Sequence, residues 1–469
     1  MIVKNFEEIT NNFYPVIIIG SGPAGISLAL TLEKKKINCL IIEAGKETYD
    51  NDSQQFYESV VVGDNITNLK HSRLRQFGGT SGHWGGWSKP MDKFNIKSWG
   101  LNFDEFSKYL DETCNILNIK NNFGKAELNN YFNQIQFQYS RVRFAKKFKN
   151  RIEKSKYINL LTNTQATHFN GDNGIVETVS VKNNEKKYFL KSKLFILSSG
   201  AVENSRVLLW TRDLNNNLIN KKLPIGNYWM THPWIIGGIG VIKKDKISKL
   251  LKDKFINYDG PLHIATSKNL ILEKKISGGA IYMNANEDIK IYKEVIKDLL
   301  CVAPKYGKKI AKKIFGKSLK CGNIFMNLEE EANENNKITL HENIKDKNGV
   351  PISKVFYKKL DKTLFSAKTI LKELGKFLID NNIGRIAIKK EIENLETYEN
   401  IGVYHHMGGT RIGDNLNTSV VDTNLKVHDT KNLYVVGSSV FRSSGYSNPT
   451  YTIVQLSLRL ADEINKKLT

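Results

Sequence analysis

A glycine-rich turn between two short apolar segments is the feature that most constrains how this chain can fold. A strand-like run from Tyr14 to Gly20 opens into Gly20-Ser21-Gly22-Pro23-Ala24-Gly25, and a helical pattern from Ala24 to Lys36 follows. A second strand-like run extends from Asn38 to Glu43. Glycines at this spacing let the backbone turn tightly and approach a pyrophosphate at a helix N-terminus. The pattern therefore predicts a β-α-β unit that binds a dinucleotide.

The position of an acidic residue supports this interpretation. Glu43 ends the second predicted strand, where its carboxylate can accept hydrogen bonds from both ribose hydroxyls of an adenosine. Gly20 and Gly22 keep side chains out of the path of the pyrophosphate. A glycine-rich turn without a ligand is the alternative, and the strand, turn, helix and strand in succession argue against it.

A histidine and an asparagine near the C-terminus form a second pattern. His406 lies in a His-Met-Gly-Gly-Thr segment, and Asn448 lies in Ser-Asn-Pro-Thr. An imidazole, with an ordinary pKa of about 6.5, suits proton removal near neutral pH, and a carboxamide offers both a donor and an acceptor. We interpret His406 as a candidate base and Asn448 as its hydrogen-bonding partner. A histidine buried only for packing is the alternative.

Neighbouring polar residues are assigned other roles. His405 is expected to point away from the site, because adjacent residues of an extended segment face opposite sides. His232, which precedes Pro233, is interpreted as a structural turn residue, and Tyr446 as a residue that shapes the pocket. None of the three belongs to the predicted catalytic set.

Length and composition predict a large globular protein. The 469 residues, 40% of them hydrophobic, favour two or more domains. No apolar run approaches the roughly 20 residues of a membrane span, and no apolar signal segment precedes the glycine motif. The expected location is therefore the cytoplasm. The four cysteines form no Cys-x-x-Cys pair, so neither a metal site nor a redox dithiol is predicted.

The charge of the chain is strongly positive. Seventy Lys and Arg residues against 47 Asp and Glu residues give a net charge of +23, which would attract phosphates, anionic polymers or membrane surfaces. Between residues 305 and 320, lysines alternate with apolar residues at helical spacing. Such a helix could lie on an anionic bilayer, or it could be an ordinary solvated helix. No nucleic-acid recognition motif accompanies it, so nucleic-acid binding is not predicted.

Further segments fit a nucleotide-binding chain with an inserted region. The loop from Phe77 to Trp87 is rich in glycine and serine, so it can lie against a flat ring, and a strand that ends in Ser198-Ser199-Gly200 is expected to reach the same cofactor. Residues 235–400 contain no second glycine fingerprint and are assigned to the substrate. The chain then returns through a strand over 432–437 and a closing helix over 452–468.

Together these motifs resemble the glucose-methanol-choline (GMC) oxidoreductases, flavoproteins that oxidise alcohols and sugars. The resemblance rests on the glycine fingerprint, on Gly-Gly-Thr-Ser at Gly78, on the stretches that begin at Gly200 and Gly226, and on His-x-Gly-Gly-Thr followed by Asn-Pro-Thr. The C-terminal motifs are most similar to those of pyranose 2-oxidase and bacterial sugar oxidases. Many other members carry a second histidine where this chain has Asn448.

The resemblance implies an α/β fold in which a Rossmann-like FAD-binding domain carries a discontinuous α+β substrate-binding domain. Residues 1–100, 151–234 and 401–469 would form the first domain, and residues 101–150 and 235–400 the second. FAD, rather than NAD, would fill the dinucleotide site. A histidine that matches His83 is covalently bonded to the flavin in pyranose 2-oxidase, whereas other relatives bind FAD without a bond, so both forms stay open.

The residues that the resemblance assigns to FAD fall into three groups. One would hold the ADP half, one would cover the isoalloxazine, and one would approach the ribityl chain and the pyrimidine end of the ring. They are Gly20, Ser21, Gly22, Gly25, Glu43 and Ala166; Gly79, Thr80, His83 and Trp84; and Gly200, Gly437, Ser438, Pro449 and Thr450.

The implied reaction is the oxidation of an alcohol group, on a sugar, glycoside or polyol, by proton abstraction and hydride transfer to flavin N5. The electron acceptor would be oxygen, a quinone or a redox protein. The alternatives are a flavoenzyme that acts on a lipid, aliphatic alcohol or acid, and a dehydrogenase at the inner membrane surface that passes electrons to quinone through contact of residues 305–320 with the bilayer.

Overall fold

The structure is a computed structural model that describes residues 1–9, 13–66, 69–242, 262–283, 303, 305–306, 309–310, 322–402 and 404–469. Most of the basic segment 305–320 lies outside these residues, so its predicted helix and membrane contact stay predictions. No helix within the described ranges combines the length and the apolar character needed to cross a bilayer.

The strands of the described residues fall into two large sheets and two small ones. In chain order they are β1 (Ile2–Val3), β2 (Tyr14–Ile19), β3 (Cys39–Ile42), β4 (Ser59–Gly63), β5 (Trp87–Ser88), β6 (Lys125–Glu127), β7 (Phe132–Ile135), β8 (Gln138–Tyr139), β9 (Ile158–Leu161), β10 (Thr164–Asp172), β11 (Ile175–Asn183), β12 (Lys186–Leu197), β13 (Trp234–Ile242), β14 (Leu262–Thr266), β15 (Gly279–Met283), β16 (Gly322–Leu328), β17 (Lys337–Lys345), β18 (Pro351–Tyr357), β19 (Gly384–Ile388), β20 (Asn400–Gly402) and β21 (Leu433–Val435).

The α-helices of the described residues connect these strands and cover them. In chain order they are α1 (Pro23–Lys34), α2 (Asn51–Gln54), α3 (Lys93–Ser98), α4 (Phe103–Ser107), α5 (Leu110–Leu117), α6 (Phe144–Lys154), α7 (Ala201–Leu214), α8 (Lys268–Lys274), α9 (Asp361–Asp380), α10 (Lys390–Glu393) and α11 (Pro449–Leu468).

The first large sheet contains the predicted β-α-β unit. Its strand order is β1-β9-β3-β2-β12-β11-β10, and β21 pairs with the C-terminal part of β12. The pairs from β1 to β12 and the β12·β21 pair are parallel, whereas β10, β11 and β12 are antiparallel. Strand β2 has the continuous apolar sequence that a parallel strand covered on both faces requires, and Val16 to Ile19 are buried.

The carboxyl ends of the central parallel strands lie in register. Ile19 pairs with both Ile42 and Leu197, and Leu197 pairs with Val435. The residue after each strand is held by a 2.8 Å backbone hydrogen bond to the neighbouring strand's last carbonyl, for example from Ser198 to Ile19. Because parallel strands end at one edge, the loops that follow β2, β3, β12 and β21 meet there.

The second large sheet is antiparallel and has the order β19-β13-β16-β15-β14-β7-β6, with β20 beside β13. Helix α9 covers one of its faces. Ile370, Leu371 and Leu374 lie at helical spacing on α9 and are fully buried in the core between this helix and the sheet. The sheet therefore has its own hydrophobic core, as a separate domain requires.

The packing divides the predicted segment 101–150 between the two halves of the molecule. Strands β6 and β7 join the antiparallel sheet, as expected for the substrate-binding part. Phe106, Leu117, Phe144 and Phe148, in contrast, are buried in the hydrophobic core of the parallel sheet. The domain boundaries stay a prediction. Within residues 101–150, only the stretch around β6 and β7 packs with the part of the molecule that was predicted for this segment. The α/β fold class itself is confirmed.

Helix α9 provides a test of how the second core is stabilised. Leu374 is fully buried, whereas Phe365 on the same helix is 46% exposed. Replacing Leu374 by Ala removes buried methyl groups and leaves a cavity, so we expect the free energy of unfolding to fall by about 2–5 kcal/mol. Phe365→Ala, the control, should change it by about 0.5 kcal/mol. Urea unfolding followed by tryptophan fluorescence measures both; equal losses would contradict the placement of α9.

A cavity between the two sheets as the candidate active site

One continuous cavity of about 1030 Å³ runs from the glycine turn to the antiparallel sheet. Its first part is lined by the loops at the carboxyl edge of the parallel sheet. Its second part is lined by β13, β15 and β16. The volume is at the upper end of the range for ligand sites, roughly 300–1,000 Å³, so it can accommodate a large cofactor together with a small substrate.

The glycine turn has the close packing that the sequence predicts. Gly20 has a φ of +105°, a region that side chains disfavour. A Cβ added to Gly25 would lie 2.0 Å from the carbonyl oxygen of Gly20, so only glycine lets α1 start this close to β2. A Cβ added to Gly22 or Gly200 would meet no atom within 4 Å. These two backbones face the open cavity, where a bound ligand can approach them.

Glu43 lies beside this turn with its carboxylate 5% exposed. One oxygen accepts hydrogen bonds from the backbone N–H of Ser21 at 3.0 Å and from its hydroxyl at 2.6 Å, and the other accepts from the N–H of Gly45 at 2.7 Å. A carboxylate offers about four acceptor positions. Glu43 therefore keeps some capacity for a ribose hydroxyl, and this role stays a prediction.

All residues that the resemblance assigns to FAD line the cavity, except Gly25. Gly25 does not line the cavity and acts through the packing of the turn. The lining residues are Gly20, Ser21, Gly22, Glu43, Gly79, Thr80, His83, Trp84, Ala166, Gly200, Gly437, Ser438, Pro449 and Thr450. The residues therefore fit an extended dinucleotide such as FAD.

The loop that carries His83 is fixed by its own hydrogen bonds. The N–H of His83 donates to the carbonyl of Thr80 at 3.2 Å, and the indole N–H of Trp84 donates to the carbonyl of Val142 at 2.7 Å. Burial and the nearby Arg143 lower the pKa of His83, so its imidazole is neutral near pH 7. A covalent bond to the flavin stays a prediction.

His406 is held by its surroundings. Its ring stacks on Trp229 with centroids 5.8 Å apart, and its Nε2 lies 2.7 Å from the hydroxyl oxygen of Ser72. Ser72 donates its single hydroxyl hydrogen to the carbonyl of Leu69 at 3.0 Å, so it accepts from Nε2 of His406. The lone pair of the imidazole is then on Nδ1, which is buried without a partner among the described residues.

His405 lines the same cavity as His406. The prediction that it points away is wrong: its partly exposed side chain lines the cavity, and its ring contacts the ring of His232 with centroids 5.2 Å apart. Burial, together with His232 and His406, lowers the pKa of His405 to about 3. Its lone pair is therefore unprotonated at neutral pH. Both nitrogens of His406 are thus bonded or buried, whereas the side chain of His405 is partly exposed to the cavity.

Asn448 lies at the same wall, immediately before α11. Its side chain makes no capping hydrogen bond to the helix, and its Oδ1 is buried without a partner among the described residues. Pro449 begins the helix, which fixes the direction of the backbone. Tyr446 donates to Asp92 at 2.6 Å and supports the loop. Asn448 therefore places a buried, unpaired amide oxygen beside the cavity.

The sequence did not indicate a buried ion network beside the cofactor part. Arg73 donates to Glu203 at 2.8 Å, and Arg206 donates to Glu203 at 3.2 Å and to Asp346 at 2.7 Å. Arg75, also buried, lies over the ring of Phe56 at 4.4 Å. Arg73 and Arg75 lie just before the glycine-rich loop 77–87. Nothing in the sequence indicates that Arg73 pairs with Glu203, which is more than a hundred positions away.

An aromatic wall at the substrate end was not predicted from the sequence either. The ring of His263 contacts Trp87, Phe137 and Tyr282 with centroids 5.1 to 5.3 Å apart, and Tyr282 contacts Phe325 at 5.6 Å. All five line the cavity. We call these residues the aromatic wall. For His263, Tyr282 and Phe325 the available signal was alternation in β14, β15 and β16, where they are paired across the strands.

Two glycines of the turn allow a test of cofactor binding. Gly22→Ala adds a methyl group where the ligand approaches, so we expect FAD affinity to fall at least about tenfold, or 1.4 kcal/mol, with the Tm of the FAD-free protein unchanged. Gly25→Ala must open the turn itself, so both FAD affinity and this Tm should fall. Fluorescence titration with FAD and thermal unfolding measure the two effects. Identical behaviour of the variants would contradict the site.

Comparison with known proteins agrees with this geometry. The sequence matches the GMC oxidoreductase family over residues 332–457 and an FAD binding domain over residues 14–55. The second match covers β2, α1 and β3 with the glycine turn, and the first contains His405, His406 and Asn448.

Two characterised proteins are similar in sequence. The large subunit of fructose dehydrogenase from Gluconobacter japonicus is 30% identical over 161 residues, which are 34% of this chain and 28% of the relative. The 2-methyl-1,2-propanediol dehydrogenase from Mycolicibacterium austroafricanum is 24% identical over 293 residues, 60% of this chain and 50% of the relative. The matches thus span half or less of each relative.

The fold is also that of a known enzyme structure. The crystal structure of pyridoxine 4-oxidase from Mesorbium loti superposes with a TM-score of 0.59 at 12% identity, over 96% of this chain and 99% of that one. The C-terminal family match, the FAD-binding segment and the cavity that residues of both segments line support membership of the GMC oxidoreductases, with FAD as the cofactor of the dinucleotide site.

Proposed function

We propose that this protein oxidises an alcohol group of a neutral, ring-shaped substrate such as a sugar, glycoside or polyol. The observation that carries the proposal is the shared cavity, which is lined by His405 and Asn448 together with the cofactor residues and the aromatic wall. When bound, FAD supplies the acceptor for the hydride. The protein must then bind the alcohol, take the hydroxyl proton and orient the carbon.

His405 is the proposed proton acceptor. Its lowered pKa keeps the imidazole neutral at physiological pH, so it can accept a hydroxyl proton as general base. The pKa of His406, the base predicted from the sequence, is lowered to about 3 as well, but its Nε2 is bonded to Ser72, its Nδ1 is buried and its ring stacks on Trp229. We therefore assign it to positioning.

Asn448 is proposed to hold the substrate oxygen. The buried oxygen and the amide N–H of its side chain can accept from a hydroxyl and donate to developing alkoxide character. Placing this carboxamide at the start of α11 also directs the N-terminal end of a long helix toward the site. The positive end of the helix dipole stabilises negative charge on the oxygen.

The lining of the cavity supports a neutral substrate. Among the described residues, its charged members are Glu43, Arg73, Arg75, Glu203 and Arg206, all from the parallel-sheet side. The aromatic wall carries apolar faces with polar edges, and the amide of Asn327 lies beside it. Flat rings match the C–H face of a sugar ring, while hydroxyl groups need the polar edges.

A lipid or aliphatic alcohol is the second candidate, because the same wall also includes Ala280 and Ile281. An acid is less well supported, since no cation lines the described substrate side. For the electron acceptor, oxygen, a quinone and a redox protein stay the candidates. A location in the cytoplasm, with residues 305–320 against the inner membrane surface, stays a prediction as well.

Anaerobic mixing of the FAD-loaded protein with a panel of alcohols tests the proposal. We expect sugars, methyl glycosides or cyclic polyols to bleach the flavin band near neutral pH, and linear fatty alcohols and sugar acids to bleach it at least about tenfold more slowly. Faster bleaching by the fatty alcohols would select the second candidate. No bleaching by any neutral alcohol would exclude alcohol oxidation.

The two adjacent histidines can be separated by substitution. We expect His405→Ala to lower the rate of flavin bleaching by at least about 100-fold at saturating substrate, because the proton acceptor is lost. His406→Ala should lower it less and reduce thermal stability more, because a buried ring stacked on Trp229 is removed. FAD content serves as the control for both variants. If His406→Ala lowered the rate of flavin bleaching more than His405→Ala, His406 would be the base instead.

A further inference from the structure

His232 is a buried histidine of the cavity that the proposed reaction does not use. It lies between Thr231 and Pro233, directly before β13, and only 1% of its surface is exposed. Its side chain nevertheless lines the cavity and meets the ring of His405 edge to face, with an interplanar angle of 87°. A turn residue alone would not need this contact.

One nitrogen of His232 has a defined partner. Nε2 lies 2.8 Å from the backbone carbonyl oxygen of Ser444. A carbonyl can only accept, so Nε2 carries the hydrogen, and the lone pair of the neutral ring is on Nδ1. Burial lowers the pKa of His232 to about 4, which keeps the ring in this neutral form.

The surroundings hold this orientation from two sides. The hydroxyl of Ser444 accepts from the N–H of Glu330 at 3.0 Å and donates to the carbonyl of Glu330 at 3.2 Å. The carboxyl group of Glu330 accepts from the N–H of Thr231 at 2.9 Å and from the hydroxyl of Tyr357 at 2.9 Å. Thus one buried residue fixes both the carbonyl that His232 donates to and the backbone that carries His232.

The other nitrogen of His232 lacks a partner. Nδ1 is buried, and no donor from the described part of the chain reaches it. A buried acceptor without a hydrogen bond is unfavourable and needs an explanation. The ring of His405 lies edge to face beside the ring of His232, with centroids 5.2 Å apart, and it is a neighbour that carries an N–H.

We propose that Nδ1 of His232 accepts a hydrogen bond from His405 and thereby fixes the tautomer of the base. This inference rests on the proposed role of His405. In this arrangement His405 donates to His232, and His232 donates to the carbonyl of Ser444. The unprotonated nitrogen of His405 then faces the substrate. When that nitrogen takes the hydroxyl proton, the opposite N–H of the imidazolium stays bonded to His232, and this charge-assisted bond is stronger than the neutral one. His232 is thus a positioning residue.

Two substitutions of His232 separate this role from a structural one. The amide of Asn reaches as far as Nδ1, so His232→Asn can keep the acceptor but loses the bond to Ser444. The amide of Gln reaches as far as Nε2, so His232→Gln keeps the bond to Ser444 but loses the acceptor. We expect the Gln variant to lose about 10- to 100-fold in kcat with little change in KM, and the Asn variant to stay within about fivefold of the parent.

A larger loss of kcat in His232→Asn than in His232→Gln would overturn the proposal, because Gln is the better replacement for a purely structural His232. Equal losses of kcat in the two variants would overturn it too. Long-range ¹⁵N spectra of the histidine-labelled, FAD-loaded parent protein give a readout that needs no turnover. We expect His405 in a single tautomer with a protected imidazole proton. A mixture of both tautomers would refute the hydrogen bond, whereas a parent protein that oxidises no alcohol but shows the single tautomer would refute only the proposed function.

Discussion

The common end point of the parallel strands is the constraint on which the rest of the structure depends. Ile19, Ile42, Leu197 and Val435 end their strands in register, each tied to its neighbour through the backbone. The loops that follow must therefore open at one edge, and they bring together parts of the chain that are more than four hundred residues apart. A one-residue slip of any strand would turn its side chains to the opposite face and move its loop out of the site.

The catalytic end of the cavity depends on buried polar contacts rather than on the sheet alone. Arg73 and Glu203 hold the segment that carries Ser72, and Ser72 in turn holds His406. Buried ion pairs contribute little net stability, but breaking one leaves a costly unpaired charge. Their effect here is to fix geometry. The backbone next to His405 is held by the contacts of His406, so these contacts limit how the two adjacent imidazoles are oriented in the cavity.

The sequence predicted local structure well because local rules govern it. Strand β2, helix α1 and strand β3 begin and end within two residues of the predicted bounds, and α11 is present where a closing helix was predicted. Which of His405 and His406 acts as the base stays a prediction, and the sequence could not decide it for a physical reason. Alternation states that neighbours face opposite sides, but only the position of Ser72 and Trp229 decides which side is the protein interior.

The sequence by itself determined the dinucleotide turn, the α/β class and the chemical groups available for catalysis, because glycine spacing, apolar periodicity and residue type are properties of short segments. The tertiary structure alone decided the tautomers of His232 and His406, the aromatic wall, and the division of residues 101–150 between two cores. Each of these depends on partners from distant parts of the chain, and a hydrogen bond or ring contact between such partners leaves no mark at either sequence position.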